Sequence, residues 1–203
     1  MGGWNMNFKK ILMVIFMILG LGLAAGCGGS AASPTPAKST AQQQASLSGK
    51  KVLIAYFSWS GNTKAAAEKI QGLTGGDIYR IEAADPYPGE YDATTDRAKQ
   101  EQKDNARPAI AGKADLSKYD VIMVGYPIWW YQEPMIIDTF LESGDFSGKT
   151  SVPFCTSGGS SIDKSIEHMK TVVKGASFAQ GFRYDGNDKE MNQWRNSRGL
   201  WKK

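Results

Sequence analysis

The chain of 203 residues has two cysteines, one histidine and no apolar run of membrane-spanning length. Each scarcity removes a class of function. Cys27 and Cys155 are too few for a disulfide framework, and Cys155 ends a buried-looking strand, where a thiol serves as a small core residue. His168 is the single histidine, so the chain carries no metal-ligand set of recognisable spacing. Its position near a predicted helix end points to a surface role facing the helix dipole. No Gly-x-Ser-x-Gly elbow is present to support a hydrolase, and the loop Ser58 to Thr63 has no lysine or arginine, unlike a P-loop with its Gly-Lys-Ser/Thr. Charge of one sign is also missing. Lys and Arg number 24 against 20 Asp and Glu, and without Lys9 and Lys10 of the first segment the formal charge falls from +4 to +2. Near-neutral balance argues against a nucleic-acid surface. No internal repeat is visible.

The apolar run from Ile11 to Leu23 follows Lys9 and Lys10 and gives way to Ala24-Ala25-Gly26-Cys27. It falls short of the ~20 residues a spanning helix needs. A basic start, an apolar stretch of about 7–15 residues and small residues before a cut describe a secretory leader. Residues 1–26 are therefore expected to be removed. A cysteine directly after small residues resembles the lipobox of bacterial lipoproteins. That resemblance implies a lipidated Cys27 as the new N-terminus and a protein anchored by lipid to a bacterial membrane, outside the cytoplasm. An uncleaved anchor helix would leave the chain on the same side. Residues 27–48 read as a disordered linker, because Ser30 to Ser48 is Ala, Ser, Thr, Pro and Gln with Lys38 as its one charge. A flexible chain of this length reaches roughly 25 Å, enough to hold a domain clear of the bilayer.

Residues 49–203 form one expected globular unit, long enough to bury a core. Lys51 to Phe57, Tyr119 to Gly125 and Ser151 to Thr156 are short, nearly continuous apolar runs, the pattern of strands buried on both faces. Asp77 to Ile81 alternates, and Ser177 to Tyr184 predicts a last strand. Helices are predicted over Thr63 to Leu73, Pro134 to Leu141, Ile162 to Val173 and Asp188 to Arg198, the last packing Met191 and Trp194. The stretch from Glu82 to Ser117 is the least patterned. Ala93 to Ala106 within it favours helix, and Asp85 to Gly89 and Arg107-Pro108 read as loops bordering a site. Strands alternating with helices predict a three-layer α/β/α sandwich around a five-stranded parallel sheet of order 2-1-3-4-5. Trp201-Lys202-Lys203 reads as a frayed end.

Three loops follow predicted strand ends, the edge at which open α/β sheets bind ligands. Ser58-Trp59-Ser60-Gly61-Asn62-Thr63 places hydroxyls and backbone N–H groups at a helix start, where a phosphate dianion is favoured. Gly61 allows close approach of the backbone. Pro127-Ile128-Trp129-Trp130-Tyr131 puts two tryptophans on a loop. One is expected to pack beneath it as core and the other to offer a stacking face, with Tyr131 and Trp59 as weaker candidates for the same surface. Thr156-Ser157-Gly158-Gly159-Ser160 is small, polar and Gly-rich, and its amides can address the polar edge of a ring system.

Together these segments resemble those of the flavodoxin superfamily, in particular its short one-domain members with a Pro-x-Trp-Trp loop. Phe140 to Lys149 is similar to the same proteins, and the likeness covers nearly all of Lys51 to Tyr184. The resemblance implies the flavodoxin-like fold and non-covalent FMN. It places Ser58, Ser60, Asn62 and Thr63 on the phosphate, and Pro127 to Tyr131 and Thr156 to Gly159 around the ring. It further implies electron transfer at the outer face of a bacterial membrane, with a redox partner protein or a small quinone-like acceptor. The same loops resemble those of NAD(P)H:quinone reductases, so an FMN-dependent NAD(P)H- or quinol-linked quinone reductase is the alternative. A flavin-free binding module on this fold is a third reading. The segment Tyr126 to Pro134 contains no glycine. Bulky residues resist positive φ, so this loop is expected to favour two-electron chemistry.

Overall fold

The computed structural model describes residues 49–197. The expected leader, Cys27, the linker and the Trp201–Lys203 end lie outside the described residues.

Three strands carry the molecule. β1 (Val52–Tyr56), β3 (Val121–Pro127) and β4 (Thr150–Thr156) are buried almost throughout. In β1, Val52, Ile54 and Tyr56 join one apolar cluster and Leu53 and Ala55 the other. Both faces are covered, which is why these strands read as continuous apolar runs. β2 (Asp77–Arg80) is the largely exposed edge beside β1. The strands run parallel in the order β2-β1-β3-β4-β5, as the alternation of elements predicts.

Helix α1 (Asn62–Thr74) ends on Gly75 at φ 65°, a left-handed position suited to glycine. It buries Ala66, Ala67 and Ile70 on the face of Val52 and Ile54. Helix α5 (Lys189–Ser197) adds Met191 and Trp194 to that face, as expected from their spacing. On the opposite face, α3 (Met135–Glu142) contributes Ile136, Ile137, Phe140 and Leu141, and α4 (Asp163–Val172) contributes Met169. The least patterned stretch contains α2 (Tyr91–Lys103), which begins two residues before the helix-favouring segment expected from sequence.

The last predicted strand, Ser177 to Tyr184, is in two pieces, β5 (Ser177–Phe178) and β6 (Phe182–Tyr184), both parallel to β4. Pro153 explains the break. Thr150 N–H donates to Asp120 O and Ile128 N–H to Thr156 O, so even-numbered residues of β4 face β3. Ala179 N–H donates to Ser151 O, so odd-numbered residues face the outer strand. Pro153 therefore turns its missing donor outward, and the ladder fails opposite it at Ala179 to Gly181. Gly181 passes so close that a Cβ would lie 2.6 Å from Pro153 O.

Gly125 is the tightest point of the sheet. A Cβ there would stand 2.1 Å from the ring of Phe154, its β4 neighbour. Phe154 stacks on Phe182 (centroids 5.9 Å), and Phe182 packs against Trp194 at 4.6 Å. Gly125→Ala is expected to displace this aromatic series and cost about 1–3 kcal/mol. Gly72→Ala, inside α1 with nothing near the added methyl, is expected to stabilise by roughly 0.5–1 kcal/mol. Urea unfolding of both variants checks the opposite signs.

Candidate functional site

All three sequence-predicted loops meet at the carboxyl ends of β1, β3 and β4. Gly61 caps α1 at φ 90°, and no side chain caps the helix. The first N–H groups of the helix are thus left for an outside acceptor. Ser58 is buried and its hydroxyl has no hydrogen-bond partner. An orphaned hydroxyl beside an uncapped helix start fits a phosphate, which accepts from both. Ser60 is exposed and accepts from Asn62 Nδ2 at 3.2 Å. Thr63, placed on the phosphate by the resemblance, has its hydroxyl engaged within the protein. Its Oγ1 lies 2.8 Å from Thr156 Oγ1 in a buried pair that ties the first loop to the third.

Trp129 is the packed tryptophan. It meets Phe57 (5.5 Å) and Tyr87 (5.3 Å) edge to face. Trp130 is 44% exposed and its Nε1–H donates to Thr95 O of α2 at 3.0 Å, with Lys99 Nζ 5.0 Å from its ring. Trp129 and Gln132 exchange both backbone hydrogen bonds, closing a two-residue turn at Trp130 (φ 49°) and Tyr131 (φ 71°). These are the φ signs of a type I′ turn, which prefers Asn-Gly. A glycine-free loop thus adopts the left-handed backbone at two aromatic residues, and the inference from its sequence to two-electron chemistry loses that support. Pro127 ends β3, and Ile128 N–H donates to Thr156 O at 3.0 Å, joining the second loop to the third. In the third loop Ser157 Oγ accepts from the N–H of Gly159 (3.1 Å) and Ser160 (2.7 Å), so two of the amides expected to face a ligand turn inward here. Gly158 and Gly159 are open to solvent.

Between the loops lies a cleft of about 280 Å³ lined by Trp59, Trp129, Trp130, Tyr131, Ile128 and Ser160, with α2 as its remaining wall. That is near the lower bound of small-molecule sites, about 300 Å³, and suits a planar ring better than a whole nucleotide. The sequence did not single out the α2 wall, Tyr91, Thr94, Thr95 and Ala98, because the helix carries few large apolar residues. Tyr87 and Arg97 hold its entry loop. Arg97 lies 4.2 Å from the Tyr87 ring and donates to Pro86 O, while Trp59 Nε1–H and Thr94 Oγ1–H both donate to Pro88 O. A larger cavity, about 780 Å³, opens near the amino ends of β3 and β4, away from these loops.

His168 departs from the surface reading. Its Nδ1–H donates to buried Glu133 Oε1 at 2.8 Å, and Nδ1 lies 3.8 Å from Asp138 Oδ2. The hydrogen bond to Glu133 raises the imidazole pKa. Burial, then the facing Glu133, pushes the Asp138 carboxyl up to about 7. Cys155 is buried as expected, and burial pushes its thiol up to about 12.

A doubly covered parallel sheet with a phosphate-type loop and an aromatic cleft at its carboxyl edge defines a flavodoxin-like α/β protein. The chain belongs to the flavodoxin family, whose model matches residues 51–198. It is similar to a protein assigned as a flavoprotein from Bacteroides eggerthii DSM 20697, with 39% identity over 75% of this chain and 99% of that one and a TM-score of 0.68. A flavoprotein from Lactobacillus acidophilus NCFM, solved in complex with FMN, is 27% identical over 71% of this chain and 98% of that one, with a TM-score of 0.60. The minor allergen Alt a 7 of Alternaria alternata is 29% identical over 136 residues, 61% of this chain, and the chain spans 65% of that curated relative's length.

Holding Tyr131 at φ 71° costs about 1–2 kcal/mol. Tyr131→Gly is expected to raise unfolding stability by about 0.5–1 kcal/mol after the larger entropy loss of glycine. Urea denaturation with an unchanged slope checks it.

Proposed function

We propose that the chain binds FMN non-covalently and transfers electrons at the outer face of a bacterial membrane. The observation that carries this reading is the orphaned Ser58 hydroxyl beside the uncapped start of α1, on the same loop as Trp59 of the aromatic cleft. Family membership and the FMN complex of the Lactobacillus relative support it. FMN, when bound, supplies the redox chemistry, and the chain supplies orientation and environment. Ser58, Ser60, Asn62 and the first N–H groups of α1 hold the phosphate, while Thr63 keeps the first loop fixed to Thr156. Trp129 and Trp130 provide aromatic surface, with Pro127, Ile128 and Tyr131 completing that loop. Thr156 to Gly159 border the polar edge of the ring. No side chain is required as acid or base. A lipid on Cys27 holds the domain at the membrane through the linker, where a redox partner protein or a small quinone-like molecule accepts the electrons.

The visible spectrum of the purified full chain, with and without added FMN, tests the cofactor. A bound-flavin spectrum that releases FMN on denaturation is expected. Ser58→Ala removes one hydrogen bond to a charged group, worth about 1.5–3 kcal/mol. It is expected to weaken FMN binding by about 10–100-fold with the melting temperature of the flavin-free chain unchanged. A colourless chain that ignores FMN overturns the reading and leaves a binding module. Rapid NADPH turnover with a quinone by the isolated protein moves it from carrier to reductase. Cys27→Ala is expected to shift the protein from the membrane to the soluble fraction, and unchanged membrane association overturns the lipid anchor.

A further inference from the structure

Outside the cleft, one polar cluster is left without the partners its burial demands. Glu133 closes the Trp-Trp loop, Asp138 lies in α3 and His168 in α4. Glu133 and Asp138 are 1% and 0% exposed. Glu133 Oε2 and both oxygens of Asp138 have no hydrogen-bond partner. Two buried carboxylates facing one another, with three of their four oxygens unpartnered and only Glu133 Oε1 bonded to His168, favour a further positive species.

One ligand atom from each of Glu133, Asp138 and His168 lies within 4.8 Å of the others. Nδ1 of His168 stands 2.8 Å from Glu133 Oε1 and 3.8 Å from Asp138 Oδ2. Atoms bound to one ion at about 2.0–2.2 Å stand roughly 3–4 Å apart, so small shifts bring all three onto a common centre. Charge agrees. Arg107 contacts the rim, with Nη2 2.8 Å from Glu142 Oε1 and Nη1 3.6 Å from Asp138 Oδ2. Metal binding deprotonates its ligands, and with the imidazole neutral and the carboxyls ionised, the three carboxylates against this one guanidinium leave two negative charges, the complement of a divalent cation. A single proton bridging Glu133 and Asp138 satisfies fewer of the orphaned oxygens. His168, with 30% of its side chain exposed, gives the cluster an opening to solvent.

We infer that Glu133, Asp138 and His168 form a binding site for a first-row divalent transition ion. One imidazole and two carboxylates suit Zn²⁺, Co²⁺, Mn²⁺ or Fe²⁺ better than Mg²⁺ or Ca²⁺, which take oxygen ligands. Such an ion joins the end of the Trp-Trp loop to α3 and α4.

The test uses the full chain stripped with EDTA and dialysed, then titrated with ZnCl₂ by calorimetry and with CoCl₂ by visible absorption. One equivalent of either ion is expected to bind, Zn²⁺ to raise the melting temperature, and Co²⁺ to develop a d–d band. His168→Gln changes a partly exposed residue and is expected to keep the fold by circular dichroism. It should lose Zn²⁺ affinity by at least the roughly 10–100-fold that a supporting residue costs, and lose the Co²⁺ band. Asp138→Asn should do the same, and if it fails to fold His168→Gln decides. No binding by the wild-type chain, or binding and a Co²⁺ band unchanged in His168→Gln, overturns the site.

Discussion

The structure depends on β1, β3 and β4 being covered on both faces. A strand in that position takes mostly apolar side chains, with Ser151 and Thr156 of β4 as buried polar exceptions, so most polar groups of these segments lie past the strand ends. The carboxyl ends of three neighbouring parallel strands form one edge, and their loops converge there without any direct attraction between the loops. The convergence is then fixed by a few bonds. Thr63 meets Thr156, and Ile128 N–H reaches Thr156 O. The third strand's last residue thus holds both other loops.

This arrangement determines what could be read in advance. Runs such as Val52 to Tyr56 announce themselves because double burial leaves one composition to choose from. The loop motifs were legible because Ser, Gly, Asn and Trp at strand ends have few structural uses. Features set by distant partners were not. His168 looks like a surface residue on its own helix, and only the fold brings it to Glu133, 35 positions earlier. The break between β5 and β6 had a visible cause in Pro153, but its effect required knowing which neighbour the proline's nitrogen faces. The α2 wall was missed because Thr94, Thr95 and Ala98 give a weak apolar stripe. The left-handed pair Trp130 and Tyr131 runs against residue preference altogether, as local rules do where the surroundings over-determine the backbone.

Strain and unpaired polarity are close in the chain. The turn at Trp130 and Tyr131 is followed, two residues later, by Glu133 and its orphaned oxygen. A loop free to relax would remove both. The turn is instead braced by Trp130 against α2 on one side and by Glu133 against His168 on the other. The conformation of the loop therefore reports on contacts in two helices, neither of which is its sequence neighbour on the amino side.

The contact of Trp194 with Phe182 has a bearing on how the sheet is closed during folding. Phe182 packs between Phe154 and Trp194 of α5, the last of the described elements. Helix α1 covers the part of this face over β1, but until α5 docks the Phe182 ring lacks its partner, and apolar surface exposed during folding favours aggregation. The docking of α5 thus acts as a latch on the outer part of this apolar face.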